Sequence, residues 1–351
     1  MDTKKTSYTI KEIAEMAQVS RATVDRVIHG RGTVSKKAYD KIKYILDKID
    51  YKPNIVAQTL RKGELFKVAV LMPDSDFDVY WKRAIDGINK VVEELSFIGV
   101  SVDLHLFNPF KEISFNHHAK QILKGGYSGV LVAPVFYSEA VAFLNECKKL
   151  SLPMVTFNTH IKDDNVLCHV GQDLEKSGRT AAALLAKLLK AGDEYLLVHI
   201  DEDIHNAKHI QEKEDGFLDY FSESGGRNPN IHTLKIEDTK ELEKRLLGVL
   251  DDHPEIKGIF VSTSKVYYVA ELVHSYNLNV HVLGYDLIKE NVDFLNSGHI
   301  DFIIYQNPGL QASTAISLLL DHLAFKKEIP KLKYLPIEIA IKENYMDYIT
   351  D

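Results

Sequence analysis

The chain opens with three short segments whose hydrophobic positions recur every three or four residues, the spacing of one helix face. The first segment follows Thr9, which can cap a helix, and Glu12 three residues later completes a capping box. The second follows Ser20 and the third follows Ser35, which can cap in the same way. The pattern predicts three helices packed into one compact unit. Their apolar positions are Ile10, Ile13, Ala14 and Ala17, then Val24, Val27 and Ile28, then Ala38, Ile42, Ile45, Leu46 and Ile49.

From Phe66 onward the pattern changes to short apolar runs separated by helical segments such as 81–95 and 176–189. That alternation is typical of parallel sheets with helices on both faces. About ten strands are more than one sheet comfortably holds, so two Rossmann-like lobes are predicted. The strand candidates are residues 68–72, 100–106, 129–133, 154–157, 195–200, 231–236, 258–261, 280–284, 302–305 and 335–341.

Charge is unevenly distributed along the chain. Residues 1–63 contain 14 Lys and Arg and 7 Asp and Glu, a balance of +7, whereas the whole chain has a net charge of −7. A small basic head on a large acidic body indicates that only the head meets a polyanion. A solvated basic face is the alternative that charge alone leaves open.

Several classes of function lack their motifs. No P-loop, GxSxG or HExxH occurs, which disfavours an enzyme on a Rossmann-like fold. Cys147 and Cys168 lack metal spacing, so we expect neither a metal nor another cofactor. With no export signal and no run of 18 apolar residues, a cytoplasmic protein without membrane contact is expected. Histidines in polar segments lack a third ligand at metal spacing: His117, His118, His205 and His209. A solvated acidic face is the interpretation of Glu202, Asp203 and Glu214.

Motifs spread along the chain match known families in a fixed order. In the first 63 residues the matches are residues 9–14, 19–20, 23–24, 26–27, 30, 34–35, 51–54, 57 and 60, and later in the chain they are 171–173, 215–217, 284–286 and 306. On these residues, the first 63 positions resemble the LacI/GalR family of bacterial transcription regulators, and the fixed order makes the resemblance specific. The rest of the chain resembles, more weakly, a type I periplasmic-binding-protein fold of the ribose-binding kind.

The resemblance implies an all-α helix-turn-helix headpiece and hinge helix, followed by an α/β two-lobed Rossmann-like body. The DNA-binding domain is expected over residues 1–52 and the hinge helix or linker over 53–63. The effector-binding and dimerisation domain would span 64–351. Its first lobe would comprise about 64–162 and 290–325, and its second lobe about 163–289 and 326–351.

The same resemblance implies a sequence-specific transcriptional regulator that represses carbohydrate-utilisation genes. A sugar or sugar derivative bound between the lobes would control its DNA affinity, and a homodimer would bind a pseudo-palindromic operator. A regulator that uses a purine or sugar acid as co-repressor is the alternative. A solute-binding protein is a further one, which the headpiece and the lack of an export signal disfavour.

By resemblance, the base-reading residues are Arg21, Ala22 and Arg26 on the second helix. An arginine can donate two hydrogen bonds to guanine, whereas Ala22 offers only a methyl contact. Phosphate contact or solvation is the alternative for both arginines. Contacts to the DNA backbone are expected from Thr9, Ser20, Thr23, Tyr51 and Asn54.

Asn54 and Gly63 can begin and end a hinge helix of about two turns. A helix so short is marginal in water, so we expect it to form only against a partner and DNA. By resemblance, Leu60 wedges into the minor groove, and Ala57 is small enough for two hinge helices to approach. An ordinary linker helix, with Leu60 packed on the body, is the alternative.

Two headpiece residues depart from the family pattern. Asp25 stands where serine is usual; its carboxylate would repel phosphate, or pair with Arg21 or Arg26 and fix a rotamer. Gln18 stands where glycine is common, so the turn must accept a side chain at a modest cost.

Ligands of open α/β sheets bind at the carboxyl ends of the strands. Carboxylates and amides there can bind sugar hydroxyls and aromatic faces can stack on a sugar, although a purine would also use aromatics. Trp81 has an equally simple alternative role on the buried face of its helix. Thr159 and Lys213 stand where the family often has arginine, and Thr263-Ser264 stand where it usually has an Asn-Asp pair. The sequence therefore leaves the identity of the effector open. Lys213 and Lys265 would favour an acidic sugar. The effector candidates are Asp74, Phe77, Tyr80, Trp81, Asn158, Thr159, Lys213, Thr263, Asp286 and Gln306.

Overall fold

The structure, a computed structural model, describes residues 8–28, 32–49, 66–95, 99–200, 208–223 and 229–349. The chain divides into two compact units, Met1–Gly63 and Glu64–Asp351. Within the described ranges, no helix is both long and apolar enough to cross a membrane.

The first unit contains the three predicted helices: α1 (Ile10–Ala17), α2 (Arg21–Ile28) and α3 (Lys36–Lys48). One apolar residue of α2, Val24, is completely buried between the other two helices. The rest of the buried core comes from α1 and α3, as their hydrophobic spacing predicts. Its members are Ile13, Ala14, Ala17, Ile42 and Ile45.

The second unit contains two six-stranded sheets with helices on both faces. The strands are β1 (Phe66–Pro73), β2 (Val100–Phe107), β3 (Gly129–Val132), β4 (Met154–Phe157), β5 (Cys168–Gly171), β6 (Glu194–Ile200), β7 (Ile231–Ile236), β8 (Ile256–Val261), β9 (His281–Tyr285), β10 (Phe302–Tyr305), β11 (Leu332–Tyr334) and β12 (Glu338–Ala340). The helices are α4 (Tyr80–Glu94), α5 (Glu112–Lys124), α6 (Tyr137–Lys149), α7 (Leu174–Leu188), α8 (Lys208–Glu223), α9 (Leu242–Asp252), α10 (Val266–Ser275), α11 (Lys289–Ser297) and α12 (Pro308–Phe325), with short 3₁₀ turns at Thr239–Glu241 and Tyr345–Tyr348.

Both sheets have the same strand order, which confirms the two predicted Rossmann-like lobes. The first sheet runs β2-β1-β3-β4-β5-β11 and is parallel throughout. The second runs β7-β6-β8-β9-β10-β12 and is parallel except for its edge strand β12. In each sheet the strand order reverses beside the first strand, which is where ligands of such folds bind.

The sheet order corrects the expected lobe boundaries. Strands β5 and β11 lie in the first sheet, although residues 163–289 and 326–351 were expected in the second lobe. Helix α11 packs on α10 and β10 lies in the second sheet, so residues 290–305 belong to the second lobe. The physical reason is that local hydrophobic periodicity indicates where a strand lies, but not which lobe's sheet that strand joins.

Within the described parts of the body, three crossovers therefore connect the lobes. The chain passes from β5 to α7, from β10 to α12 and from β11 to β12. Helix α12 returns to the first lobe, where it packs on α4 and on strands β3, β4 and β5. The two helices approach closely because Gly87 faces the backbone of Gly309, where an added Cβ would overlap a carbonyl oxygen.

Candidate functional sites

Side-chain hydrogen bonds lie at both ends of α1. Thr9 and Glu12 form the predicted capping box: Thr9 N–H donates to Glu12 Oε2 at 2.8 Å, and Glu12 N–H donates to Thr9 Oγ1 at 3.3 Å. Gln18 ends α1 in the left-handed region, with φ 54°. Lys41 Nζ donates to Gln18 Oε1 at 3.3 Å, so the side chain that replaces glycine contacts α3.

Helix α2 presents its first turn to solvent. Arg21, Ala22 and Arg26 are all exposed, so they form a surface that another molecule can reach. The aliphatic part of Arg26 lies beside Gly32, where an added Cβ would be 3.7 Å from Arg26 Cδ. Asp25 is partly buried on the same helix.

Ser20 and Thr23 form hydrogen bonds with each other at the start of α2. Ser20 Oγ accepts a hydrogen bond from Thr23 N–H at 3.1 Å and lies 2.8 Å from Thr23 Oγ1. Both residues therefore shape the start of α2, a role that is compatible with phosphate contacts from the same edge. The remaining DNA-end candidates lie outside the described residues: Tyr51, Asn54, Ala57 and Leu60.

In the body, Asp286 follows β9 and Gln306 follows β10, and they meet at the carboxyl edge of the second sheet. Asp286 accepts from Gln306 N–H at 3.1 Å and from Gln306 Nε2 at 2.8 Å. Asp286 is 2% exposed, and burial raises its pKa to about 6 although Lys213 and Gln306 lower it. The left-handed backbone of Asp286, φ 68°, is a strained conformation of the kind found at ligand sites.

Lys213 extends from α8 toward the same edge. It is 3% exposed, its Nζ donates to the carbonyl of Ser262 at 3.0 Å, and Nζ lies 3.7 Å from the centre of the Tyr285 ring. Helix α8 can approach α7 because Gly178 faces the Lys213 carbonyl, where a Cβ would overlap. The second lobe thus holds a buried cation beside a buried carboxyl group. Thr263 is 5% exposed and follows β8 at this edge.

The first lobe contributes Tyr80 and Asn158 from the facing edge. Asn158 Nδ2 donates to Tyr80 Oη at 2.7 Å, and Asn158 also has a left-handed backbone, φ 71°. Burial, then Asp286 and Asp78, raise the pKa of Tyr80 well above 10. One of the groups that raise the pKa of Tyr80, Asp286, belongs to the second lobe.

Two family models match the chain. Residues 9–54 match the bacterial regulatory proteins of the lacI family, and residues 68–327 match the periplasmic binding protein domain. The chain is a LacI-family regulator with a periplasmic-binding-protein body.

Similar proteins agree with this membership. The regulator is 29% identical over 265 residues to the ribose operon repressor of Halalkalibacterium halodurans, covering 74% of this chain and 72% of that one. It is 29% identical over 174 residues to catabolite control protein A of Staphylococcus xylosus, about half of each chain. A crystal structure of a putative LacI transcriptional regulator from Bacteroides fragilis superposes with TM-score 0.75 at 28% identity, covering 82% of this chain and all of that one.

Some effector candidates of the regulator contribute to packing or to loop structure. Trp81 is 4% exposed in the first-lobe core, with edge-to-face contacts to Tyr80 at 5.0 Å and Phe157 at 6.1 Å. That position fits the alternative role on the buried helix face. Asp74 Oδ1 accepts from Asp76 N–H at 3.0 Å and so shapes the loop after β1, where Phe77 is exposed. Thr159 is completely buried.

Gln172 of the regulator connects all three crossovers. It lies just after β5, is 2% exposed, and its Nε2 donates to the carbonyls of Tyr305 at 2.9 Å and Pro336 at 2.8 Å. Those carbonyls belong to the other two crossovers. From the sequence, residues 171–173 were known only as a match to the family. The two hydrogen bonds of Gln172 could not be predicted, because its partners are 133 and 164 positions away along the chain.

The sequence did not predict a buried row of polar side chains that lies next to Lys213. His199 is 1% exposed, its Nδ1 lies 2.7 Å from Ser262 Oγ, and its Nε2 lies 3.4 Å from Glu214 Oε2. His199 lowers the pKa of Glu214 against the opposing effect of burial. The expectation that Glu214 belongs to a solvated acidic face is therefore wrong: it is four-fifths buried against His199.

Proposed function

We propose that this regulator represses carbohydrate-utilisation genes and that a sugar or sugar derivative bound between its lobes controls its DNA affinity. The observation that carries the proposal is the buried Asp286–Gln306 pair, with Lys213 beside it and Tyr80 and Asn158 opposite. Carboxylate and amide groups held in fixed positions can each bind sugar hydroxyls. The similarity to a ribose operon repressor supports the same ligand class.

The proposed effector residues are the polar groups that both lobes bring to the cleft. Asp286, Gln306 and Lys213 would bind from the second lobe, and Tyr80 and Asn158 from the first. Each hydroxyl-binding group is already hydrogen-bonded, so little ordering is needed when a ligand arrives. A sugar acid used as co-repressor is the second candidate, and the buried Lys213 cation is the observation that favours it.

Binding of the full-length chain to D-ribose, D-gluconate and adenine tests the effector class. Ligand that binds the folded state raises the unfolding temperature with concentration. We expect a shift with the sugar or the sugar acid that Asp286→Ala abolishes while operator affinity persists. Asp76→Asn, an exposed carboxylate after the first strand, is the matched control. A shift with adenine alone, or a normal shift in Asp286→Ala, would contradict the proposal.

At the DNA end, we propose that Arg21, Ala22 and Arg26 read base edges in the major groove. Their exposure on the first turns of α2 supports this role. Thr9, Ser20 and Thr23 would contact phosphates. Tyr51 and Asn54, with the minor-groove residues Ala57 and Leu60, remain predictions from the family. The active form would be a cytoplasmic homodimer on a pseudo-palindromic operator.

Arg26→Ala tests base reading. If Arg26 binds a guanine, the variant loses about 1–3 kcal/mol of discrimination at one base pair per half-site. Competition binding against operators mutated one position at a time measures this loss. Arg245→Ala in the body is the charge-matched control. A uniform loss across all operators would indicate a phosphate contact instead.

A further inference from the structure

Three side chains that can each bind a metal ion meet at the amino-terminal edge of the second sheet. Glu194 begins β6, His232 is the second residue of β7, and His253 directly follows α9. Their ligand atoms all lie within 4.8 Å of one another. Among the described residues, this is the only trio of His, Cys, Asp or Glu so closely placed. Because the strands are parallel, this edge is opposite to the one that carries Asp286.

The contacts within the trio orient it. Glu194 Oε2 lies 2.6 Å from His232 Nε2, and Asn230 Nδ2 donates to the other carboxylate oxygen. The rings of His232 and His253 lie 4.0 Å apart between centres.

Backbone hydrogen bonds hold the three ligand-bearing segments together. Glu194 N–H donates to the Glu255 carbonyl at 2.8 Å, and Ile256 N–H donates to the His253 carbonyl at 3.1 Å. Tyr195 N–H donates to the Asn230 carbonyl at 3.1 Å. Since the segments are already joined, gathering the ligands does not require a loop to become ordered.

We propose that Glu194, His232 and His253 bind a divalent transition-metal ion of the zinc type. Two imidazole nitrogens and one carboxylate oxygen suit Zn²⁺, Ni²⁺ or Cu²⁺, whereas Mg²⁺ and Ca²⁺ prefer oxygen ligands alone. His253 is exposed, so water can complete the coordination. The ion would link β6, β7 and the end of α9, and would stabilise the second lobe away from the effector cleft.

Calorimetric titration of the full-length, tag-free chain with Zn²⁺ at neutral pH tests the site. We expect His253→Ala to raise the dissociation constant at least about tenfold. His253 is exposed, so its loss leaves the lobe folded, and Glu194→Gln, which keeps the side chain's shape, should weaken binding similarly. His274→Ala is the matched control, because His274 is also exposed and its Nδ1 lies 2.9 Å from a second imidazole, His299.

Visible absorption of bound Co²⁺ supplies an independent readout. The wild-type chain and His274→Ala should show the same ligand-field bands, and His253→Ala and Glu194→Gln should lose or shift them. Equal Zn²⁺ affinities in the wild type and His253→Ala, or a loss only in His274→Ala, would overturn the proposal.

Discussion

Replacing Asp286 with asparagine should change how the stability of the second lobe depends on pH. Burial raises the pKa of Asp286 from 3.8 to about 6. The folded protein therefore binds this proton more tightly than the unfolded chain does. The groups around it are Lys213, which opposes the shift, and Asp78, which adds to it. The unfolding free energy should therefore fall as pH rises from about 4 to about 6, and stay level above.

The size of this effect follows from the pKa difference. About two pKa units correspond to about 3 kcal/mol in all, of which about 1 kcal/mol falls between pH 5 and pH 8. Asp286→Asn has a similar shape and no titrating group, and rotation of the Gln306 amide restores the paired hydrogen bonds. Relative to the wild type, the variant should thus gain about 1 kcal/mol of unfolding free energy between pH 5 and pH 8.

Urea denaturation of both proteins at pH 5, 6, 7 and 8 measures the difference. Circular dichroism reports both lobes, and fluorescence of Trp81 reports the first lobe separately, because Trp81 is the single tryptophan and lies in its core. Asp76→Asn measures the effect of removing a surface carboxylate. A constant free-energy difference between wild type and Asp286→Asn across this range would show that folding does not raise the pKa of Asp286.

Three further predictions concern the connections of the body and the turn of the headpiece. Gln172→Met leaves the buried Tyr305 carbonyl and the partly buried Pro336 carbonyl without their donor, so urea denaturation should show a loss of about 1–3 kcal/mol; an unchanged midpoint would show that the amide is dispensable. Lys265 Nζ lies 5.1 Å from the centre of the Phe110 ring, so Lys265→Met removes a contact across the cleft worth about 0.5–1 kcal/mol. Small-angle scattering should show a larger radius of gyration for this variant, and the same for Phe110→Ala. An unaltered radius in both variants would show that the contact does not hold the lobes together. Gln18→Gly relieves a left-handed side chain and should stabilise the headpiece by up to about 1 kcal/mol in thermal unfolding, whereas a lower melting temperature would mean that the Lys41 contact outweighs the strain.

Local signals in the sequence predicted the elements well. The caps at Thr9 and Ser35 begin helices as expected, because capping depends only on residues three positions away. The positions of Asp286 and Gln306 were also predicted, because both directly follow recognisable strands. Trp81 remained ambiguous because a buried helix face and a cleft wall demand the same residue type.

Pairing over long sequence distances was not predictable. Strand β5 contains only four residues with a histidine among them, and β11 is exposed along its length, so neither has a clear hydrophobic pattern. Their membership of the first sheet depends on partners far along the chain. For the same reason, the sequence did not bring Glu194, His232 and His253 together, although each histidine was visible.

The three crossovers have a consequence for how the chain is synthesised. The headpiece core uses only residues from the first 49, so it can fold as soon as those residues leave the ribosome. The first lobe lacks α12 and the edge strand β11 until residue 334 has been made, and the second lobe lacks β12 until residue 340. Every nascent chain therefore carries a finished DNA-binding head for most of its translation, before it has a body that can respond to a ligand.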